Sequence, residues 1–165
     1  MVEQRCAQLF QVKLLLPLPL LLPQTWLTEG GEVEPGLREV VMKVAMAGRA
    51  AGAGARALAS LLRLLEVPQE RSRVLHSLGY SHDRDVLARV LAFSLDPRLR
   101  DQESVLVLES VCQNRLGVRL AWDFFKEHLK EFFSRYGHGL FLMSKLIKCV
   151  TENFSTEEEL TEVTS

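Results

Sequence analysis

Residues 117–137 read GVRLAWDFFKEHLKEFFSRYG. Val118, Trp122, Phe125, Leu129, Phe132 and Tyr136 recur at steps of three and four, while Arg119, Asp123, Lys126 and Lys130 fall on the other side. That is the period of an amphipathic helix, with Gly137 and Gly139 to end it. Trp122, Phe125, Leu129 and Tyr136 are therefore expected core residues. The next stretch carries two apolar stripes. Leu140, Met143, Ile147, Val150 and Phe154 form one, and Leu142, Leu146 and Cys149 the other. A helix apolar on two sides is expected to be buried on two sides, as in a stacked array, and places Leu140 and Ile147 in the core. Ser155 and Glu158 then form a capping box that opens one more helix.

Upstream, the same grammar repeats. In 103–114, ESVLVLESVCQN, the run Val105 to Leu108 could by itself be a strand, but flanking glutamates and the lack of turn signals favour a helix. Asp96-Pro97 has the form of a helix start, an N-cap acid followed by proline at the first helical position. In 81–95, SHDRDVLARVLAFSL, Val86, Val90 and Phe93 share a face with Leu87 and Leu91 beside it. Gly79 is placed to stop the preceding helix, which follows Val67-Pro68. Leu58, Leu61, Leu62 and Leu65 begin the helical stripes. Helix pairs fall about 35 residues apart, within the range of helical repeats, without a clean internal repeat. The expected fold is all-α, with HEAT-like stacked antiparallel helix pairs, a fragment of an α-solenoid.

The first third is different. Residues 13–27, KLLLPLPLLLPQTWL, are apolar but carry Pro17, Pro19 and Pro23, each of which breaks a helix and shortens any span. A signal peptide over 1–23 is the rival reading, but Glu3 sits in its n-region and no small-residue cleavage site follows promptly. Residues 47–59, AGRAAGAGARALA, begin as a glycine-punctuated joint. The chain is accordingly divided into a low-order leader, 1–54, and a helical domain, 55–165.

Composition bounds the chemistry. The 165 residues are enough for about one domain, 47% hydrophobic and 25% charged, with a net charge of −1. Nothing here builds a nucleic-acid surface on bulk charge. Cys6, Cys112 and Cys149 are an odd number at long spacings, which fits free, buried thiols in a reducing, cytoplasmic setting rather than a disulfide framework. His76, His82, His128 and His138 form no H-E-x-x-H pair, and His128 with Glu131 lacks a third ligand. No G-x-S-x-G or phosphate-binding glycine loop is present.

Several stretches resemble the C-terminal helical domain of zinc aminopeptidases of the aminopeptidase N family, the puromycin-sensitive type above all. They are 67–96 (VPQERSRVLHSLGYSHDRDVLARVLAFSLD), 99–104 (LRDQES) and 121–160. The marks are Arg73-Val74-Leu75 with Leu78-Gly79, Arg100-x-Gln102-Glu103, Ala121-Trp122-x-Phe124, Arg135-Tyr136-Gly137-x-Gly139, and the Phe-Leu-x-Ser block at 141–144. The resemblance covers roughly 55–165. The family's zinc-binding H-E-x-x-H and its Gly-x-Met-Glu-Asn substrate motif belong to a separate catalytic domain and have no counterpart in this sequence. The resemblance therefore implies a domain truncated at its C-terminal end, with no catalytic or zinc-binding residue and no cofactor of its own. It also implies a domain that closes over an active-site chamber and shapes peptide access, with Arg100 and Gln102 facing that chamber. The simpler role for those two is to cap and orient a helix start. Expected partners are an aminopeptidase catalytic domain or a peptide, with neither nucleic acid nor membrane, and with self-association through the apolar surface around Leu142, Leu146 and Cys149 at the end of the array. A free-standing helical interaction module is the rival function.

Overall fold

The computed structural model describes residues 33–137, 140–154 and 161. Among these are eight α-helices and no strand. They are α1 (Arg38–Met46), α2 (Ala53–Leu64), α3 (Pro68–Ser77), α4 (Arg84–Phe93), α5 (Asp101–Cys112), α6 (Gly117–Glu127), α7 (Leu129–Tyr136) and α8 (Leu140–Thr151), with a 3-10 turn, Leu78–Tyr80, after α3. The all-α expectation holds. No helix of the described residues is long and apolar enough to cross a membrane.

Helix α5 is the axis of the fold. Its Val105, Val107, Leu108, Val111 and Cys112 are buried, as are Ser104 and Ser110, because α3, the 3-10 turn, α4, α6 and α8 surround it. The ambiguous run Val105 to Leu108 is thus helical, and its unbroken apolar character is what burial on several sides requires. Ser110 fits there because its Oγ donates to the Val107 carbonyl at 2.7 Å. The inner helix is therefore α5, not α8. Helix α8 buries Leu146, Cys149 and Val150 against α5, α6 and α7, but exposes Phe141 and Ile147. Ile147 is not a core residue as expected. It lies one position, about 100° of helix rotation, past the buried Leu146, and no element of the described chain covers that side. Of Leu140 only the backbone is described, so its expected core role lies outside the described residues, as do the Ser155–Glu158 capping box, His138, Gly139 and the leader up to residue 32.

The long helix expected over 117–137 is two. His128, with φ −101° and ψ 15°, caps the end of α6 and the start of α7. That ψ departs from the helical value and turns the following residues about the axis. Trp122, Phe125, Phe132 and Tyr136 all face the core, but Leu129 is 44% exposed. The expectation for Leu129 fails because it is the first residue after the break at His128, where the two helices join and the buried stripe is interrupted. The buried rings form a ladder across the break, Trp122–Phe125 at 6.0 Å, Phe125–Phe132 at 5.7 Å and Phe132–Tyr136 at 6.2 Å between centroids. Phe154 closes edge-on over Trp122 at 5.3 Å. Such pairs add about 0.5–1.5 kcal/mol each beyond area burial.

Two start and stop signals act differently from their sequence reading. Asp96-Pro97 opens a turn instead of a helix. Asp96 accepts from the Arg98 backbone N–H at 2.9 Å and from its guanidinium at 2.9 and 2.8 Å, which closes a local turn. Gly79 sits in the 3-10 turn without a left-handed conformation, and a Cβ there would overlap the Ser110 carbonyl. Its use is close approach to α5, and Asn114 Nδ2 locks the contact by donating to the Gly79 and Ser81 carbonyls, both at 2.7 Å.

Residues 38–46, within the stretch 1–54 expected to be of low order, are helical and packed. Helix α1 buries Met42, Ala45 and Met46 against α2, α3 and the 3-10 turn. Gly52, at φ 69°, makes the sharp entry to α2 that brings these two helices together. The glycines of 47–54 are a tight connection between packed helices.

Candidate functional site

Arg100 and Gln102 lie where α5 begins, on the rim of a groove of about 700 Å³ between α3, the start of α5 and α8. Its floor is part apolar, from Leu75, Leu106 and Leu142, and its wall is Arg71. The rim is built by Glu103. The Arg100 backbone N–H donates to Glu103 Oε2 at 2.8 Å, which closes the first turn of α5. The same carboxylate receives a two-pronged Arg71 fork, Nε to Oε1 at 2.6 Å and Nη2 to Oε2 at 2.9 Å. Arg71 also donates to the Leu65 carbonyl at 3.2 Å and the Arg98 carbonyl at 3.0 Å, so one side chain ties the end of α2 and the turn before α5 to α3. The Arg71 guanidinium holds the Glu103 carboxyl below the usual carboxylate range, against the opposing effect of burial.

The backbone of Arg100 thus serves the helix start, while its exposed guanidinium has no ion-pair partner among the described residues and remains available to the groove. Gln102 is exposed beside it. Arg71 and Glu103 are the residues that sequence reasoning missed. Glu103 was legible as a first-turn acid, but its partner on α3 is 32 positions away and carries no local signal.

The other candidates stay apart. His128 Nδ1 lies 3.6 Å from Glu131, whose carboxylate is already taken by Arg135 at 2.6 Å. No group of three or more His, Cys, Asp or Glu side chains among the described residues is arranged to hold a metal ion. Cys112 and Cys149 are buried and free, and face each other across the α5–α8 contact.

The comparisons agree with the fold. Residues 22–165 match the family model of the ERAP1-like C-terminal domain, and the chain belongs to that family. It is the C-terminal helical domain of the zinc aminopeptidases of the aminopeptidase N type. Aminopeptidase Ey of Gallus gallus is 37% identical over 101 residues, 59% of this chain and 10% of that protein. Thyrotropin-releasing hormone-degrading ectoenzyme of Rattus norvegicus is 42% identical over 95 residues, 57% of this chain and 9% of that protein. Aminopeptidase N of Canis lupus familiaris is 39% identical over 92 residues, covering 55% and 9%. The chain spans about a tenth of the length of these curated relatives.

Proposed function

We propose that the chain is a non-catalytic helical domain that docks against an aminopeptidase catalytic domain and shapes the path of peptide substrates. One observation carries this reading: an exposed Arg100 guanidinium with no ion-pair partner among the described residues, beside Gln102 on the rim of a groove with a part-apolar floor. A guanidinium fork matches a peptide carboxylate, and an apolar floor receives side chains. The HEAT-like stacking of helix pairs and the puromycin-sensitive type belong to the same reading, the latter supported by the motifs at 73–79 and 135–144. Zinc and hydrolysis are supplied by the catalytic domain in this scheme, and this chain brings no cofactor. The cytoplasm suits its free, buried thiols. The secretory pathway is the second placement, since one relative's name includes "ectoenzyme".

Titration of the chain with a short peptide bearing a free carboxylate tests the reading. Weak binding is expected, reduced several-fold by Arg100→Ala and by amidating the peptide terminus, with no stoichiometric zinc and no release of amino acids from aminoacyl reporters. One tightly held zinc per chain after dialysis, or turnover, overturns it.

A second reading is a free-standing interaction module. The observation that favours it is the outer apolar surface of α7 and α8, where Phe133 is 63% and Phe141 78% exposed. Self-association of the isolated chain follows from the same surface. Peptide binding lost on Arg100→Ala favours the first reading. Partner capture abolished by Phe141→Ser with the groove intact favours the second.

A further inference from the structure

The seam between α5 and α8 carries three contacts in register. Lys145 Nζ pairs with Glu109 at 3.1 Å, the Cys112 and Cys149 thiols meet next, and Asn153 Nδ2 donates to the Cys112 carbonyl at 2.8 Å. Lys145 and Cys149 lie one turn apart on one α8 face and Asn153 follows in the turn just past its end, so the cysteines are held between two fixed points. The helices run the same way along this seam, since Glu109 meets Lys145 and Cys112 meets Cys149. An open cavity of about 160 Å³, lined by both cysteines with Lys145, Lys148, Glu109 and Glu152, brings solvent to the pair. Cys149 is 8% exposed and Cys112 3%.

We propose that Cys112 and Cys149 are a redox-active dithiol that closes to a disulfide and staples α8 to the central helix α5. The co-reactant is a small-molecule disulfide such as oxidised glutathione. Cys149, the more accessible thiol, loses its proton to water and attacks one sulfur, forming a mixed disulfide and releasing one glutathione thiol. Cys112 then loses its proton and attacks Cys149 Sγ, forming the Cys112–Cys149 bond and expelling the second glutathione. Two S–H bonds are lost, one protein S–S bond is gained and the reagent is reduced to two thiols. The Cys112 thiol is pushed up by its hydrogen bond to Cys149 and by burial, which leaves Cys149 to start the exchange.

The test uses the full chain carrying Cys6→Ser, which removes the third thiol. Native protein is exposed to oxidised glutathione, then alkylated, digested and analysed by mass spectrometry, with melting followed in parallel. The expected result is joint loss of both thiols, one peptide pair linked through Cys112 and Cys149, no retained glutathione, and a Tm higher by roughly 5–10 °C that dithiothreitol reverses. Cys112→Ala should keep glutathione on Cys149, and Cys149→Ala should leave Cys112 unreacted in the folded chain. Glutathione retained on Cys149 when both cysteines are present, or linkage seen only after denaturation, overturns the dithiol. A linked chain that melts no higher overturns the staple.

Discussion

Glu103 is asked to do two things with one carboxylate. It satisfies an N–H at the start of α5 and it anchors the Arg71 fork from α3. Removing its charge leaves Arg71 half-buried with two of its donors aimed at a neutral amide. Glu103→Gln is expected to cost about 1–3 kcal/mol, the range for loss of charge-assisted hydrogen bonds, measured by urea unfolding. Arg71→Lys should lose part of this, since an ammonium cannot make the fork. The pH dependence has a definite sign. The folded-state pKa of Glu103 lies below its ordinary 4.5, so its contribution is present above that value and is lost as pH falls through the depressed one. The difference in stability between the parent and Glu103→Gln should therefore shrink as pH is lowered below about 4.5. A difference that stays constant to lower pH would mean that geometry, not charge, holds the rim.

The pair α6 and α7 shows how an element boundary changes the meaning of a pattern. Phe132 is fully buried and contacts Phe124, Phe125 and Tyr136 by ring packing, whereas Leu129, one turn earlier, stands 44% exposed. Phe132→Ala should destabilise by about 3–5 kcal/mol, as for other large-to-small changes of a buried aromatic. Leu129→Gln should fall within about 0.5 kcal/mol of the parent. Were α6 and α7 one continuous helix in solution, the two substitutions would both be costly, and thermal unfolding of the pair distinguishes the cases.

At the scale of the whole chain, the core is continuous from α1 to α8, and the surface is where its apolar residues run out of neighbours. Phe133, Phe141 and Ile147 lie on the outer sides of α7 and α8. Each buried side chain of this size is worth roughly 1.5–3 kcal/mol, a large share of a marginal total, so the surface favours association. Sedimentation velocity over a hundred-fold concentration range should show the isolated chain associating, with Phe141→Ser shifting the balance to monomer. A dilution-insensitive monomer would show that this surface is tolerated in water. The sequence reading placed the associating surface around Leu142, Leu146 and Cys149, yet Leu146 and Cys149 are packed against α5.

The helical class, the helical period of most elements and the burial of Trp122, Phe125 and Tyr136 follow from residues within a few turns of each other, because hydrophobic periodicity and capping are local. The family motifs were equally legible, since they are runs of side chains. What required the tertiary structure was every choice among locally equivalent options. Both stripes of α8 are apolar, and only the position of α5 decides that Leu146 is inside and Ile147 outside. Gly79 looks like a helix stop until Ser110 is seen against it. Residues 38–46 read as part of a loose leader until α2 and α3 cover Met42 and Met46. The Arg71–Glu103 rim and the Cys112–Cys149 pair join residues 32 or more positions apart. Local sequence sets which faces can be buried; which one is buried depends on what the rest of the chain brings against it.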